Sequence, residues 1–355
     1  MASPHFVNGV YYPCWRIYKG HAPSSLQLDA ISHIFYAFVH VNEDGTLRFL
    51  DDYADCHIVA DGEKGCLAAL AKLKTRVPGL KTLMSIGGGS GSAEFPVMAA
   101  NPDTRITFAK SCREFCEKYG VDGVDVDWEH PQTPHDGANY IAMLQELRRA
   151  LPSPWFQIST ALPTRQYCLQ HINLAVAGQL LDYLNLMVYD FNGPWTDVCG
   201  HQAQLYPPPG PLESVYPRLR NSGHGGVEYI LSRGFPARKL VIGIPVYTRT
   251  FEGAHGVGQP FKRAHEMEYN EMPPEWVAYA TVDHDSVAAS FVDKTPGGKG
   301  FASFDVPETV EKKAEYVKRM GLGGLFYWHG VGDVQGPDSL VRTGYRALHN
   351  IPRPT

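Results

Sequence analysis

Eight short β-rich apolar runs, separated by amphipathic stretches, place the tightest limit on the architecture of this chain. They are Val7–Tyr12, Ile34–His40, Thr82–Gly87, Gly123–Asp127, Gln157–Leu162, Tyr183–Val188, Lys239–Pro245 and Gly324–Trp328. Between several of them lie segments of helical periodicity: Glu63–Thr75, Asp103–Tyr119, Ala138–Leu151, Val227–Arg233 and Glu308–Met320. Strands alternating with helices build a parallel sheet through right-handed crossovers. Eight such units are expected to close into an α/β fold of the (β/α)8 TIM barrel type. An open doubly wound sheet would carry a glycine-rich dinucleotide turn after its first strand, but that turn reads YYPCWRIYKG.

The connection between the seventh and eighth runs is too long for a simple loop. Alternating apolar residues within 252–300 predict a small β-containing insertion there. No repeat, low-complexity tract or linker interrupts the rest, so residues 1–355 read as a single barrel domain carrying that insertion.

The formal charge of −5 argues against a nucleic-acid or anionic-membrane surface, since both need clustered Lys and Arg. No apolar run approaches the roughly 18 residues of a membrane helix. The N-terminal MASPHFVNGVYYP lacks the basic and apolar regions of a secretory signal. The expectation is therefore a cytoplasmic protein, or an extracellular one whose signal was removed, acting as a monomer. Seven Cys with no paired C-x-x-C spacing suggest neither a zinc site nor a redox pair. Cys112 and Cys116, four residues apart on a helical segment, are expected to be buried.

The stretch VDGVDVDWEHP, Val121 to Pro131, carries Asp122, Asp125, Asp127 and Glu129. On a strand, Asp125, Asp127 and Glu129 share one face, with Val124, Val126 and Trp128 on the other. In a barrel the acidic face points inward, at the C-terminal strand end where active sites of this fold are built. Same-face neighbours lie roughly 6.6 Å apart, so these carboxyls cannot ionise independently. A shared proton would leave a carboxylic acid near neutrality, which glycosidic-bond cleavage requires. A divalent-cation site is the rival reading, because carboxylates are hard oxygen ligands. The GGGSGS run from Gly87 lacks the G-K-[ST] ending of a phosphate loop. Its glycines are better suited to close backbone approach to a ligand or neighbouring strand.

DGVDVDWE, Asp122 to Glu129, resembles the D-G-x-D-x-D-x-E signature of family 18 glycoside hydrolases, the chitinases. SIGGG from Ser85, MVYDFNGPW from Met187, GIPVYTR from Gly243 and GGLFYW from Gly323 are similar to further segments of that family, in the same order. The resemblance implies a retaining, endo-acting hydrolase of β-1,4-linked N-acetylglucosamine, with chitin or its oligosaccharides as substrate and no metal or cofactor. It implies that Glu129 is the general acid and that the substrate's own acetamido oxygen is the nucleophile. Asp127 would hold the acetamido N–H, Asp125 would tune Asp127, and Tyr189 would orient the acetamido oxygen. Asp190, Arg249, Trp328, Met187 and Tyr247 would bind the sugar, with Trp195 on the acceptor side. Tyr11 and Tyr36 complete the substrate-binding candidates. An endo-β-N-acetylglucosaminidase acting on N-glycans and a non-catalytic chitin-oligomer lectin are the alternatives on the same barrel. The chain departs from the family pattern at Gly89, where many members carry Trp, at His130 in place of Tyr, and at Thr248 in place of Gly.

Overall fold

The computed structural model describes residues 6–210 and 217–352. Eight parallel strands form its centre: Val7–Pro13, His33–Val41, Lys81–Gly87, Gly123–Asp127, Gln157–Pro163, Tyr183–Met187, Leu240–Pro245 and Gly324–Trp328. Each pairs with the next, and the first pairs with both the second and the eighth, so the sheet closes into a (β/α)8 barrel. A short strand, Leu47–Phe49, adds antiparallel to the outer end of the second.

The alternation along the strands sorts side chains into two apolar layers. Val10, Ile34, Val124, Val126, Ile158, Leu184 and Ile242 face outward, into the large core shared with the helices. Val7, Tyr11, Phe35, Leu83, Val241 and Phe326 fill a smaller core inside the barrel. Helices such as Pro102–Tyr119 and Pro134–Ala150 cover the outside. The second of these starts at a reciprocal cap, in which the Thr133 hydroxyl accepts the Asp136 N–H and the Asp136 carboxylate accepts the Thr133 N–H. Cys112 and Cys116 are buried under the Pro102–Tyr119 helix, and all seven cysteines are free thiols. Among the described residues, no helix is long and apolar enough to cross a membrane.

The expected insertion is a five-stranded antiparallel sheet in the order Ala264–Glu268, Tyr247–Phe251, Gly300–Phe304, Ala288–Asp293, Thr281–Asp283. It begins earlier than the sequence pattern suggests. The chain leaves the barrel at Val246, whose N–H makes a last bond to the Trp328 carbonyl at 2.7 Å. Tyr247 and Arg249 therefore stand on the insertion sheet, leaning over the barrel mouth. Arg16 of the first βα connection forms a bidentate ion pair with Glu268 and fastens the insertion to the barrel.

A second ion pair is wholly enclosed. Lys313, on the helix Pro307–Met320, donates to both oxygens of Asp305 at 2.8 and 2.7 Å and to the Ala203 carbonyl at 2.7 Å. Thr309 Oγ1 donates to the same carboxylate at 2.6 Å. Truncating one partner of a buried pair leaves the other charge without water or counter-ion. Lys313→Met is therefore expected to lower unfolding stability by about 3–5 kcal/mol. Chemical denaturation would measure it, and a loss below about 1 kcal/mol would mean that water replaces the lost partner.

Candidate active site

The third and fourth strands meet so closely at their ends that only glycine fits between them. Gly87 has φ of +114°, and a Cβ there would lie 2.3 Å from the Asp127 carbonyl oxygen. The following loop returns to support the same strand end. Ser92 Oγ accepts the Glu129 N–H at 2.9 Å and lies 2.9 Å from the Gly88 and 3.2 Å from the Asp127 carbonyl oxygens. The glycine-rich run thus serves a neighbouring strand, and it fixes the backbone from which Asp127 and Glu129 project.

Register places Ser85, Asp125 and Ser159 side by side on three adjacent strands. The Asp125 carboxyl consequently sits in a cradle of donors inside the barrel. It accepts Tyr11 Oη at 2.7 Å, Ser85 Oγ at 2.8 Å, Ser159 Oγ at 2.6 Å and, more loosely, Asn185 Nδ2 at 3.4 Å. Burial raises its pKa above the ordinary Asp value in spite of these bonds. Asp127 is also buried, but its Oδ1 has no hydrogen-bond partner among the described residues. Burial first, then the charges of Glu129 and Asp125, push its carboxyl well above the usual range. Glu129 is raised too, by burial and then by Asp190. The fourth strand therefore presents one saturated carboxyl, one with a bare buried oxygen and one at the cleft, and burial raises all three above their ordinary range.

Asp190 follows the sixth strand in a left-handed conformation, φ 58°, which Asp tolerates better than most residues. Its Oδ1 accepts Tyr247 Oη at 2.8 Å and Arg249 Nε and Nη2 at 3.0 and 2.8 Å. The other guanidinium nitrogen of Arg249 reaches Glu266 at 3.0 Å. Tyr189 packs edge-on against Tyr247 and Phe326. Burial and the surrounding carboxylates, Asp127 foremost, raise its hydroxyl well above the phenolic range, so it stays a donor. Trp328 closes the opposite side of the mouth, stacked 5.6 Å from Phe38 and edge-on to Tyr11 at 5.5 Å. Met187 packs against this same interior cluster.

Eleven of the twelve sequence candidates line the barrel mouth or its interior. The exception is Tyr36. It alternates with the inward-facing Phe35 and Ala37, so its ring lies in the outer core, and its hydroxyl donates to the buried Asp55 on the helix Asp52–Cys56. Tyr36 is therefore separated from the cleft by the sheet itself. Tyr11 is in the site, but as a donor to Asp125 within the barrel.

Some residues of the site escaped the sequence reading. Ser85, Ser159 and Asn185 carry small polar side chains at inward strand positions, a signal that parity counting could have found. Trp15 is partly exposed and tilts over Phe38 at 6.2 Å, which lengthens the aromatic platform begun by Trp328. On the other side of Glu129, a Cβ at Gly89 would be 3.7 Å from Glu129 Oε1, so this approach is bare. A cleft of about 790 Å³ is bordered by Thr164, Arg165, Tyr167, Trp195 and Arg220. Trp195 is 45% exposed, with the Arg249 guanidinium 5.1 Å from one ring face. His130 packs edge-on to Tyr167, and burial, reinforced by Arg165, lowers its pKa. Thr248 is buried, and its hydroxyl donates to the Ser303 carbonyl within the insertion sheet at 3.1 Å. Among the described residues, no three His, Cys, Asp or Glu side chains group so as to hold a metal ion.

Known proteins resemble this chain over nearly its whole length. The chain is 34% identical to endochitinase 1 of Metarhizium robertsii and 33% identical to chitinase 1 of Aphanocladium album, in each case over 97% of this chain and 85% of the relative. The structure of an Ostrinia furnacalis group IV chitinase in complex with allosamidin superposes with a TM-score of 0.86 at 27% identity, covering 98% of this chain and 99% of that one. Residues 7–333 match the sequence model of the glycosyl hydrolases family 18. With the acidic fourth strand, the closed barrel and the insertion all inside the matched span, the chain belongs to glycosyl hydrolase family 18.

Proposed function

We propose that this glycoside hydrolase is an endo-acting chitinase, cleaving β-1,4-linked N-acetylglucosamine chains with retention through the substrate's own acetamido group. The observation that carries the reading is how the carboxyls are already engaged. Asp125 is saturated by protein donors, and the Asp190 Oδ1 by Tyr247 and Arg249. Asp127 and Glu129 remain, two residues apart on one strand. Side by side, they do not flank a glycosidic bond as an acid and an enzyme nucleophile must.

With Glu129 as the acid, the substrate's own acetamido group makes the attack. The acetamido oxygen adds to the anomeric carbon while the bond to the leaving oxygen breaks and Glu129 gives that oxygen its proton. The cyclic oxazolinium ion so formed carries positive charge, which draws the adjacent Asp127 into its carboxylate form, the proton passing to Asp125, and the carboxylate balances that charge with no competing partner at Oδ1 among the described residues. Tyr189 donates to the acetamido oxygen and aligns it. Trp328 supplies a flat apolar floor for the sugar ring, and Asp190, Tyr247 and Arg249 bind its polar edge. Glu129, now a carboxylate, accepts a proton from water as that water opens the ring from the face the leaving group vacated. Two inversions give net retention.

Proton NMR of the first products, recorded before mutarotation, tests this directly. The new reducing end is expected to be β. Immediate appearance of the α-anomer would overturn the reading, as would a glycosyl ester trapped on Asp125, Asp127 or Asp190.

The pH profile gives a second test. Glu129 must be protonated to act, so activity falls as pH rises through its raised pKa. Asp190 contributes to raising it. Asp190→Asn removes that charge, which lowers the Glu129 pKa and should move the alkaline limb of kcat to lower pH. An unmoved or upward-shifted limb would dissociate Asp190 from the acid.

A further inference from the structure

The cleft beyond Trp195 is basic as well as aromatic. Arg165, at the end of the fifth strand, and Arg220, which precedes the helix Gly223–Ser232, both border it, together with Gln166, Tyr167 and Asn221. Among the described residues no Asp or Glu lines it. Arg220 Nε is buried without a hydrogen-bond partner among the described residues. The Arg165 Nη1 lies 3.5 Å from the Tyr167 hydroxyl, a distance at which little hydrogen bonding remains. The field of Arg165 reaches His130, the residue following Glu129, and helps to lower its pKa. Both arginines thus border a cleft whose wall residue Tyr167 packs against His130, the neighbour of the acid Glu129, in a protein whose net charge is −5.

We propose that Arg165 and Arg220 select the charge of the sugar on the leaving-group side, admitting N-acetylglucosamine and refusing glucosamine. The inference rests on the hydrolase reading above, and concerns the sugar that receives the proton from Glu129. A guanidinium donates readily to hydroxyl and amide carbonyl oxygens, so an N-acetylated sugar offers both arginines acceptors. A glucosamine keeps the hydroxyls but offers an ammonium group in place of the amide carbonyl. That ammonium meets two like charges in a cleft with less water to screen them, where repulsion exceeds its bulk value several-fold. Stacking on Trp195 is indifferent to this substitution, because the ring faces of the two sugars are alike. Charge at C2 is what the site reads.

Cleavage of a partially deacetylated chitosan tests the inference, because the leaving-group sugar becomes the new non-reducing end of a product. Sequencing those ends by mass spectrometry reads selectivity without reference to rate. The wild-type protein is expected to leave N-acetylglucosamine there, with glucosamine depleted about ten-fold or more relative to the polymer. In the double variant Arg165→Gln with Arg220→Gln, glucosamine should rise toward its frequency in the polymer. The charge-conserving pair Arg165→Lys with Arg220→Lys should keep the depletion, and controls for disturbed folding. Glucosamine at the polymer frequency in wild-type products would overturn the proposal. So would undiminished depletion in the glutamine variant, which would place the selection elsewhere. Failure of the wild type to cleave even the fully acetylated polymer would instead sink the hydrolase reading, and this inference with it.

Discussion

Glu129→Gln is expected to cut turnover of a soluble N-acetylglucosamine oligomer by at least about 10²–10⁴-fold, while oligomer binding stays within a few-fold. The amide preserves the shape of the side chain and its backbone anchor, the N–H held by Ser92 Oγ at 2.9 Å. What it loses is the proton. Burial and Asp190 raise the Glu129 carboxyl so that the proton is retained at pH values where an exposed Glu would have lost it. A poor sugar leaving group cannot depart as an alkoxide, so this donor has no substitute in the cleft. Single-turnover kinetics alongside calorimetric binding of the same oligomer would separate the two effects. Turnover above half of wild type would remove Glu129 from the role of acid.

Asp127→Asn should be nearly as damaging, with kcat lowered about 10²–10³-fold. The wild-type carboxyl is buried, raised by Glu129 and Asp125, and has an oxygen no protein group uses. Asparagine fills the same volume and can still accept the acetamido N–H, but it cannot balance the growing positive charge of the oxazolinium ion. A thiazoline analogue, with sulfur in place of the ring oxygen, mimics that ion and provides a second readout. Its affinity should fall in parallel with kcat in Asp127→Asn, and again in Tyr189→Phe, where the orienting hydroxyl is missing. Loss of kcat with undiminished thiazoline affinity in both variants would detach these residues from the cyclic intermediate.

The barrel was legible because its strands are short apolar runs of plain parity, and the acidic fourth strand stood out against them. Parity also explains the one candidate that fell outside the mouth. Tyr36 is one residue out of step with Phe35 and Ala37, and an odd offset on a strand moves a side chain through the sheet. The cradle around Asp125 was harder to read. Parity puts Ser85, Ser159 and Asn185 on inward faces, but which of them meet Asp125 is decided by inter-strand register, which a single sequence does not encode. The break at Val246 was hidden for a related reason. GIPVYTR reads as one continuous run, yet its first half belongs to a parallel barrel and its second to an antiparallel sheet. Nothing in the local pattern marks the change, because both halves are buried and extended.

The five strands that meet at Asp125 also govern when this enzyme becomes an enzyme. Tyr11 comes from the first strand and Asn185 from the sixth, with Ser85 and Ser159 on either side of the carboxyl. The platform of Trp328 arrives only with the eighth strand, which must then find the first. A nascent chain halted between Glu129 and the eighth strand holds the whole acidic motif but not the finished surroundings of its carboxyls. Premature termination products and half-barrel fragments would thus be inert as hydrolases, however intact their signature. For protein engineering the same fact points the other way: moving the acidic strand into another barrel will transplant a sequence, and the chemistry will follow only if four neighbouring strands travel with it.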